Sequence, residues 1–178
     1  MGPPAPPRVP GGAGCRCAEC IAPHRGRGEG ARLQAITLRQ PWAALAACGA
    51  KRYETRSWAT RHRGPLAIHA SARWRAADRV LLALEPWRSA LGPAPGAGVD
   101  LPLGRVLAVV QVTACVPTAS LAPDYPESVF GDFAPGRWAW RLEGVRLLEP
   151  SLPARGRLGL WSLDLAAEGG SRSVLVRQ

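Results

Sequence analysis

Gly49-Ala50-Lys51-Arg52-Tyr53-Glu54-Thr55-Arg56 is the stretch on which the reading of this chain turns. Gly49 stops the helix pattern before it, Trp42-Ala43-Ala44-Leu45-Ala46-Ala47-Cys48, because glycine takes the left-handed conformation that ends a helix without a Cβ clash. From Lys51 to Arg56 the chain is polar and extended. Lys51 stands out by composition: of 23 basic residues, 22 are arginine and it is the one lysine, in a chain with no asparagine and three isoleucines. Such usage reflects coding from GC-rich DNA, where lysine drifts to arginine. A lysine retained there marks a position that needs a compact ammonium with a movable pKa. Lys51 and Glu54 are three apart, on opposite faces of a continuous strand but able to converge at a helix-to-strand bend. Such an ion pair either fixes the loop or gives and takes a proton.

Downstream, residues 51–63 carry Lys51, Arg52, Arg56, Arg61 and Arg63 against the single carboxylate of Glu54, with Tyr53 and Trp58 interleaved. Guanidinium groups bind phosphate through paired donors and aromatic faces stack on bases, so this pattern suits a single-stranded or flipped nucleotide better than a duplex groove. Glu54 separates two uses of the segment, because a site built only for phosphate gains nothing from a carboxylate. Beyond it, Gly64-Pro65 is a turn and Leu66-Ala67-Ile68-His69-Ala70 a strand. Alternation puts Ala67 and His69 on one face of that strand and Leu66, Ile68 and Ala70 on the other. His69, with Ser71 beside it, reads as a core or rim residue or as a further liner of the same pocket.

The remaining elements place this segment in a fold. Ala35-Ile36-Thr37-Leu38 is a short strand, and Pro41 stands where the first turn of a helix tolerates proline. Val80, Leu81, Leu84, Trp87 and Leu91 have the spacing of one long helix over residues 75–91. Residues 92–104 are rich in Pro and Gly and read as a mobile loop. Val106 to Val112 is a buried strand, a long connection covers residues 116–135, and Trp138 to Leu142 and Gly159 to Leu163 are two more strands with turn signals between them. Several short strands with helices predict an α+β fold, a small closed or nearly closed β-barrel with flanking helices.

The ends read differently. Residues 1–33 are Pro, Gly, Ala and Arg without periodicity, a disordered basic arm, and residues 167–178 are a C-terminal tail. Cys17 and Cys20 have the gap of a zinc knuckle, with Cys15 and His24 able to complete four ligands. All four fall within ten residues and would enclose almost no chain, so no metal site is expected there. Five cysteines form no spaced disulfide framework, and neither a secretory signal nor a window long enough for a membrane span is visible. A cytoplasmic protein is expected. At 47% apolar residues the chain is globular, and a formal net charge of +10 predicts an anionic partner. Without a Walker loop or a dinucleotide fingerprint, nucleotide triphosphate or dinucleotide cofactors are not implied, and no cofactor is expected.

Taken in order, Ile36-Thr37-Leu38-Arg39-Gln40-Pro41-Trp42-Ala43, the pattern Gly-x-Lys-x-x-Glu-x-Arg at residues 49–56, and Arg63-Gly64-Pro65-Leu66-Ala67-Ile68-His69-Ala70-Ser71 resemble the ASCH (activating signal cointegrator homology) domains. Phe130-Gly131-Asp132, Pro135 to Trp140 and Pro153 to Trp161 are similar to blocks of the bacterial members. The resemblance implies an ASCH domain over residues 34–166 with a PUA-like barrel and a cleft lined by the motif. It implies a role in binding RNA or modified nucleosides. Some members are amidohydrolases acting on N4-acetylcytidine and others cut or bind nucleic acid; the hydrolase-type members carry threonine where this chain has Glu54. The candidate catalytic set is therefore Lys51, Glu54 and His69, and the candidate ligand-binding set is Gln40, Trp42, Arg56, Trp58, Arg63 and Ser71. RNA or a nucleotide-like ligand is the expected partner. A small hydrolase, a nuclease and a Trp-rich protein-interaction module are the alternatives.

Overall fold

The computed structural model describes residues 31–91, 101–167 and 174–176. The cysteine-rich stretch from Cys15 to His24 and most of the predicted loop over 92–104 lie outside the described residues. Among the described residues seven strands make one mixed sheet: β1 (Ala31–Leu38), β2 (Tyr53–Arg56), β3 (Gly64–Ala70), β4 (Arg105–Pro117), β5 (Trp138–Pro153), β6 (Leu160–Ala167) and β7 (Val174–Val176). Their order across the sheet is β2-β5-β4-β3-β1-β6-β7. The fold class is α+β. The hydrogen-bonded ladder runs from an edge at β2 to an edge at β7, with no pairing that closes it among the described residues. The sheet curls instead, enough for β5, second in the order, to approach β7, last in it.

One pair is parallel, β1 with β3, in the register Gln34↔Leu66 to Leu38↔Ala70. A parallel pair needs a crossover, and α1 (Trp42–Ala47) supplies it. Its buried residues Ala43, Leu45, Ala46 and Ala47 are mostly small, so the helix lies close against the sheet. Gly49, at φ +81°, ends it as the sequence predicts. The N–H of Lys51 then donates to the Leu45 carbonyl at 3.0 Å, which fixes where β2 begins relative to the helix.

The alternation in β3 separates two cores. Leu66, Ile68 and Ala70 join Ile36, Leu38, Val110 and Trp140 on one face. Ala67 lies on the other, with Ala35, Val106, Trp161 and Leu163.

Several expectations need correction. The predicted helix over 75–91 is three short pieces, α2 (Ala76–Arg79), a 3-10 turn (Val80–Ala83) and α3 (Trp87–Leu91). Pro86 has no N–H to donate and disfavours helix before it, and Leu84 is already extended at ψ 147°. The apolar spacing also misleads, since Val80 and Leu84 are 60% and 48% exposed. The strand at Trp138 runs on to Pro153, absorbing the turn signals as irregularities in its pairing with β4, with Gly144 at φ +57°. Both ends carry more structure than expected: β1 starts at Ala31, inside the expected arm, and Val174–Val176 pairs with β6, inside the expected tail. Finally, the long connection over 116–135 contains α4 (Glu127–Phe130), which matters for the site.

Candidate functional site

The C-terminus of β1, the start of α1, β2 and the segment from α4 to Arg137 enclose an open cleft of about 540 Å³. Lys51, Glu54, Arg56, Trp42 and Trp58 of the expected set line it together. Arg39, Thr55, Asp132 and Arg137 join them, giving four basic side chains against two carboxylates.

Lys51 lies at the bottom, 2% exposed. Its Nζ donates to the carbonyl oxygens of Tyr53 at 2.6 Å and Phe130 at 2.7 Å and stands 3.6 Å from Glu54 Oε2. The bend after Gly49 thus brings Lys51 and Glu54 to the same side. Burial pushes the Lys51 ammonium below its ordinary 10.5, while the carboxylates of Glu54 and Glu127 oppose that shift. Through these contacts the ammonium ties the start of β2 to the end of α4 and stands beneath Glu54.

Glu54 carries the charge upward. Its Oε1 is 2.8 Å from Arg56 Nε, and an Arg56 Nη2 hydrogen goes to the Thr37 carbonyl at 3.3 Å. On the facing wall Arg137 Nε is 3.2 Å from Asp132 Oδ2. The Nε–H of neither arginine is aimed at its carboxylate well enough to form a hydrogen bond. Both pairs are charge contacts at Nε, so an anionic ligand can compete for that edge of either guanidinium without breaking a directed bond to the carboxylate. Trp58 meets Trp140 edge-on at 4.7 Å, and Arg39 lies over the Trp42 ring at 5.2 Å.

The wall from α4 is fastened to β2 by side chains. Glu127, 1% exposed, accepts the backbone N–H of Arg52 at 2.8 Å and of Tyr53 at 3.0 Å. Thr55 Oγ1 accepts the Asp132 N–H at 2.9 Å, and Arg137 Nη2 reaches the Thr55 carbonyl at 3.5 Å. Phe130 is held from behind by Trp87 of α3, edge-on at 5.8 Å. Gly131 leaves room for this: a Cβ there would lie 2.9 Å from Phe133 and 3.2 Å from Thr55.

Four expected residues lie elsewhere. Gln40 is fully buried, accepting the Ala44 N–H at 3.0 Å and donating to the Pro102 carbonyl at 2.9 Å, so it caps α1. Arg63 is exposed and turns back onto the Thr60 and His62 carbonyls. The Ser71 N–H donates to the Leu38 carbonyl and its Oγ accepts from Arg73 N–H. His69 is fully buried in the second core, edge-on to Trp161 at 5.7 Å. Its Nε2 donates to the Ala154 carbonyl at 2.9 Å, and burial pushes its pKa below the ordinary 6.5. Of these four, none lines the cleft. Glu127 and Arg137 escaped sequence reading as site residues; the signal that could have flagged their segment was Phe130-Gly131-Asp132 and Arg137 among the resembling blocks.

A curled mixed sheet with an open basic cleft at its β2 edge, walled by indoles and arginines, sets the class of domain. The chain belongs to the ASCH domain family, whose profile matches residues 36–149. It is similar to human activating signal cointegrator 1, 27% identical over 143 residues, which is 80% of this chain and 24% of that protein. The mouse protein of the same name is 26% identical over the same share of each chain. The chain thus spans about a quarter of the length of these relatives. No helix among the described residues is long and apolar enough to cross a membrane.

Proposed function

We propose that this domain binds RNA or modified nucleosides in the β2 cleft and that the curled sheet is a PUA-like pseudo-barrel. The observation that carries the reading is the lining itself: an open cleft with Arg39, Arg56 and Arg137 beside Trp42 and Trp58. Guanidinium edges take phosphate, indole faces take a base, and the remaining lone pairs of Glu54 accept a base N–H. Lys51 is the buried cation that keeps this carboxylate in place. A cytoplasmic setting fits the expected partner.

A hydrolytic reading has one observation in its favour, the lowered pKa of Lys51 beside Glu54. In it the pair moves a proton to and from a water attacking an N4-acylated cytidine. His69 takes no direct part, being separated from the cleft.

The test is affinity for short single-stranded RNA at low and moderate salt. Binding should weaken steeply with salt, and Arg56→Ala should lower affinity about tenfold, the scale of one charged contact. Equal affinity of wild type and Arg56→Ala overturns the binding reading. Deacylation of N4-acetylcytidine by wild type but not by Glu54→Gln would establish the hydrolytic one.

A further inference from the structure

The positive lining of the cleft continues beyond its rim. Arg39, which lies over Trp42, also places Nη1 3.2 Å from Asp78 Oδ2. Asp78 belongs to α2, and its neighbour Arg79 lies over the Trp74 ring at 4.7 Å. Two arginine–indole stacks thus stand on neighbouring elements, the first lining the cleft and the second outside it, and the carboxylate next to Arg79 in α2 holds Arg39 of the first. Around the second stack Arg73, Arg75 and Arg79 are exposed, whereas the Asp78 side chain is only 14% exposed. The face toward solvent is therefore positive and its compensating carboxylate is covered. Core packing gives no reason for this, because α2 buries no residue.

We propose, resting on the reading of the cleft as a nucleotide site, that this stripe is the path of a single-stranded RNA leaving the cleft. The nucleotide held at Arg56 and Trp58 is followed by neighbours that stack on the Arg39–Trp42 and Arg79–Trp74 pairs. Their phosphates meet Arg73, Arg75 and Arg79. An arginine already laid on an indole is suited to this. It offers a flat cationic face to a base and an N–H edge to a phosphate, and its side-chain freedom is already reduced. A single strand fits because its bases can turn toward such faces, whereas a duplex hides them in its own stack. Asp78 sets the spacing by holding Arg39 from the side of the second stack.

The experiment compares, with the full chain, a labelled oligouridylate of roughly ten nucleotides and an unlabelled dinucleotide in competition, lengths chosen to bracket the site size of a small single-strand binder. Wild type should bind the longer strand more tightly than the dinucleotide. Arg79→Glu and Trp74→Ala should each lose about tenfold on the longer strand, the scale of one stacked base, and leave dinucleotide binding unchanged. Arg56→Ala should weaken both. Arg79 is exposed, so its substitution leaves the core intact, and retained dinucleotide binding verifies that. Equal binding of the longer strand by wild type and Arg79→Glu, with Arg56→Ala still weakened, removes the path and keeps the cleft. Insensitivity to all three variants overturns both. Preference for a duplex of the same length, lost in Arg79→Glu, overturns the assignment to a single strand.

Discussion

Lys51 and His69 are both buried, both drew attention as single residues of unusual type, and both have pKa values pushed down by burial. Their surroundings differ. Lys51 meets two carbonyls and a carboxylate at the bottom of an opening, so its burial organises groups that solvent and ligand can still reach. His69 meets one carbonyl and an indole, and Nδ1 finds no partner among the described residues. Gly156 closes the space above it: a Cβ there would lie 2.6 Å from His69 Cε1 and 2.8 Å from Thr37 Oγ1. A perturbed group in a sealed core is a packing solution, whereas one under an open charged cleft is a candidate for function.

The contrast can be broken most decisively at Lys51. Lys51→Met should cost about 3–5 kcal/mol in urea unfolding, since it leaves Glu54 and two carbonyls facing an apolar tip. It should also abolish RNA binding. A loss under about 1 kcal/mol would mean the ammonium does not organise the cleft. Gly156→Ala is the matching experiment on the other side. It should cost about 1–3 kcal/mol by overpacking His69 and leave RNA affinity of the folded protein unchanged. Lost affinity there would couple the two regions and dissolve the distinction.

Smaller effects sharpen it. Arg137→Ala should reduce the slope of RNA affinity against salt by about one counterion, with little change in stability. An unchanged slope would take Arg137 out of the ligand's reach. The smallest expected effect is the pH response of His69. Its folded pKa is below its unfolded 6.5, so the unfolded chain binds the proton more readily. Its contribution is complete above 6.5 and is lost as pH falls from there toward the lowered folded value. His69→Phe should flatten that part of the stability profile, read as melting temperature against pH. A profile identical to wild type would show that His69 does not govern it.

Much of this was legible in the chain. The run from β1 to β3 follows from alternation, a helix stop at Gly49 and proline placement, all of them local. The pairing of Lys51 with Glu54 was legible as well, because a bend between residues three apart is a local matter. Sequence could not show that two of the lysine's acceptors are backbone carbonyls, which have no residue signature. Nor could it show that Glu127 reaches Arg52 and Tyr53, at the start of β2, from 75 and 74 residues away. The long helix failed for the opposite reason: its local spacing was plain, but Pro86 interrupts it and the fold leaves Val80 and Leu84 exposed.

The fastening of α4 to β2 has a consequence for how copies of this chain meet. β2 is an edge strand, and an exposed edge invites strand addition from a neighbour. Here the outward N–H of Tyr53 is taken by Glu127, its carbonyl by Lys51, and the Thr55 carbonyl by Arg137. The groups that shape the cleft therefore also blunt a template for self-association. Mutational drift at Glu127 would be filtered first by solubility, before any ligand was involved.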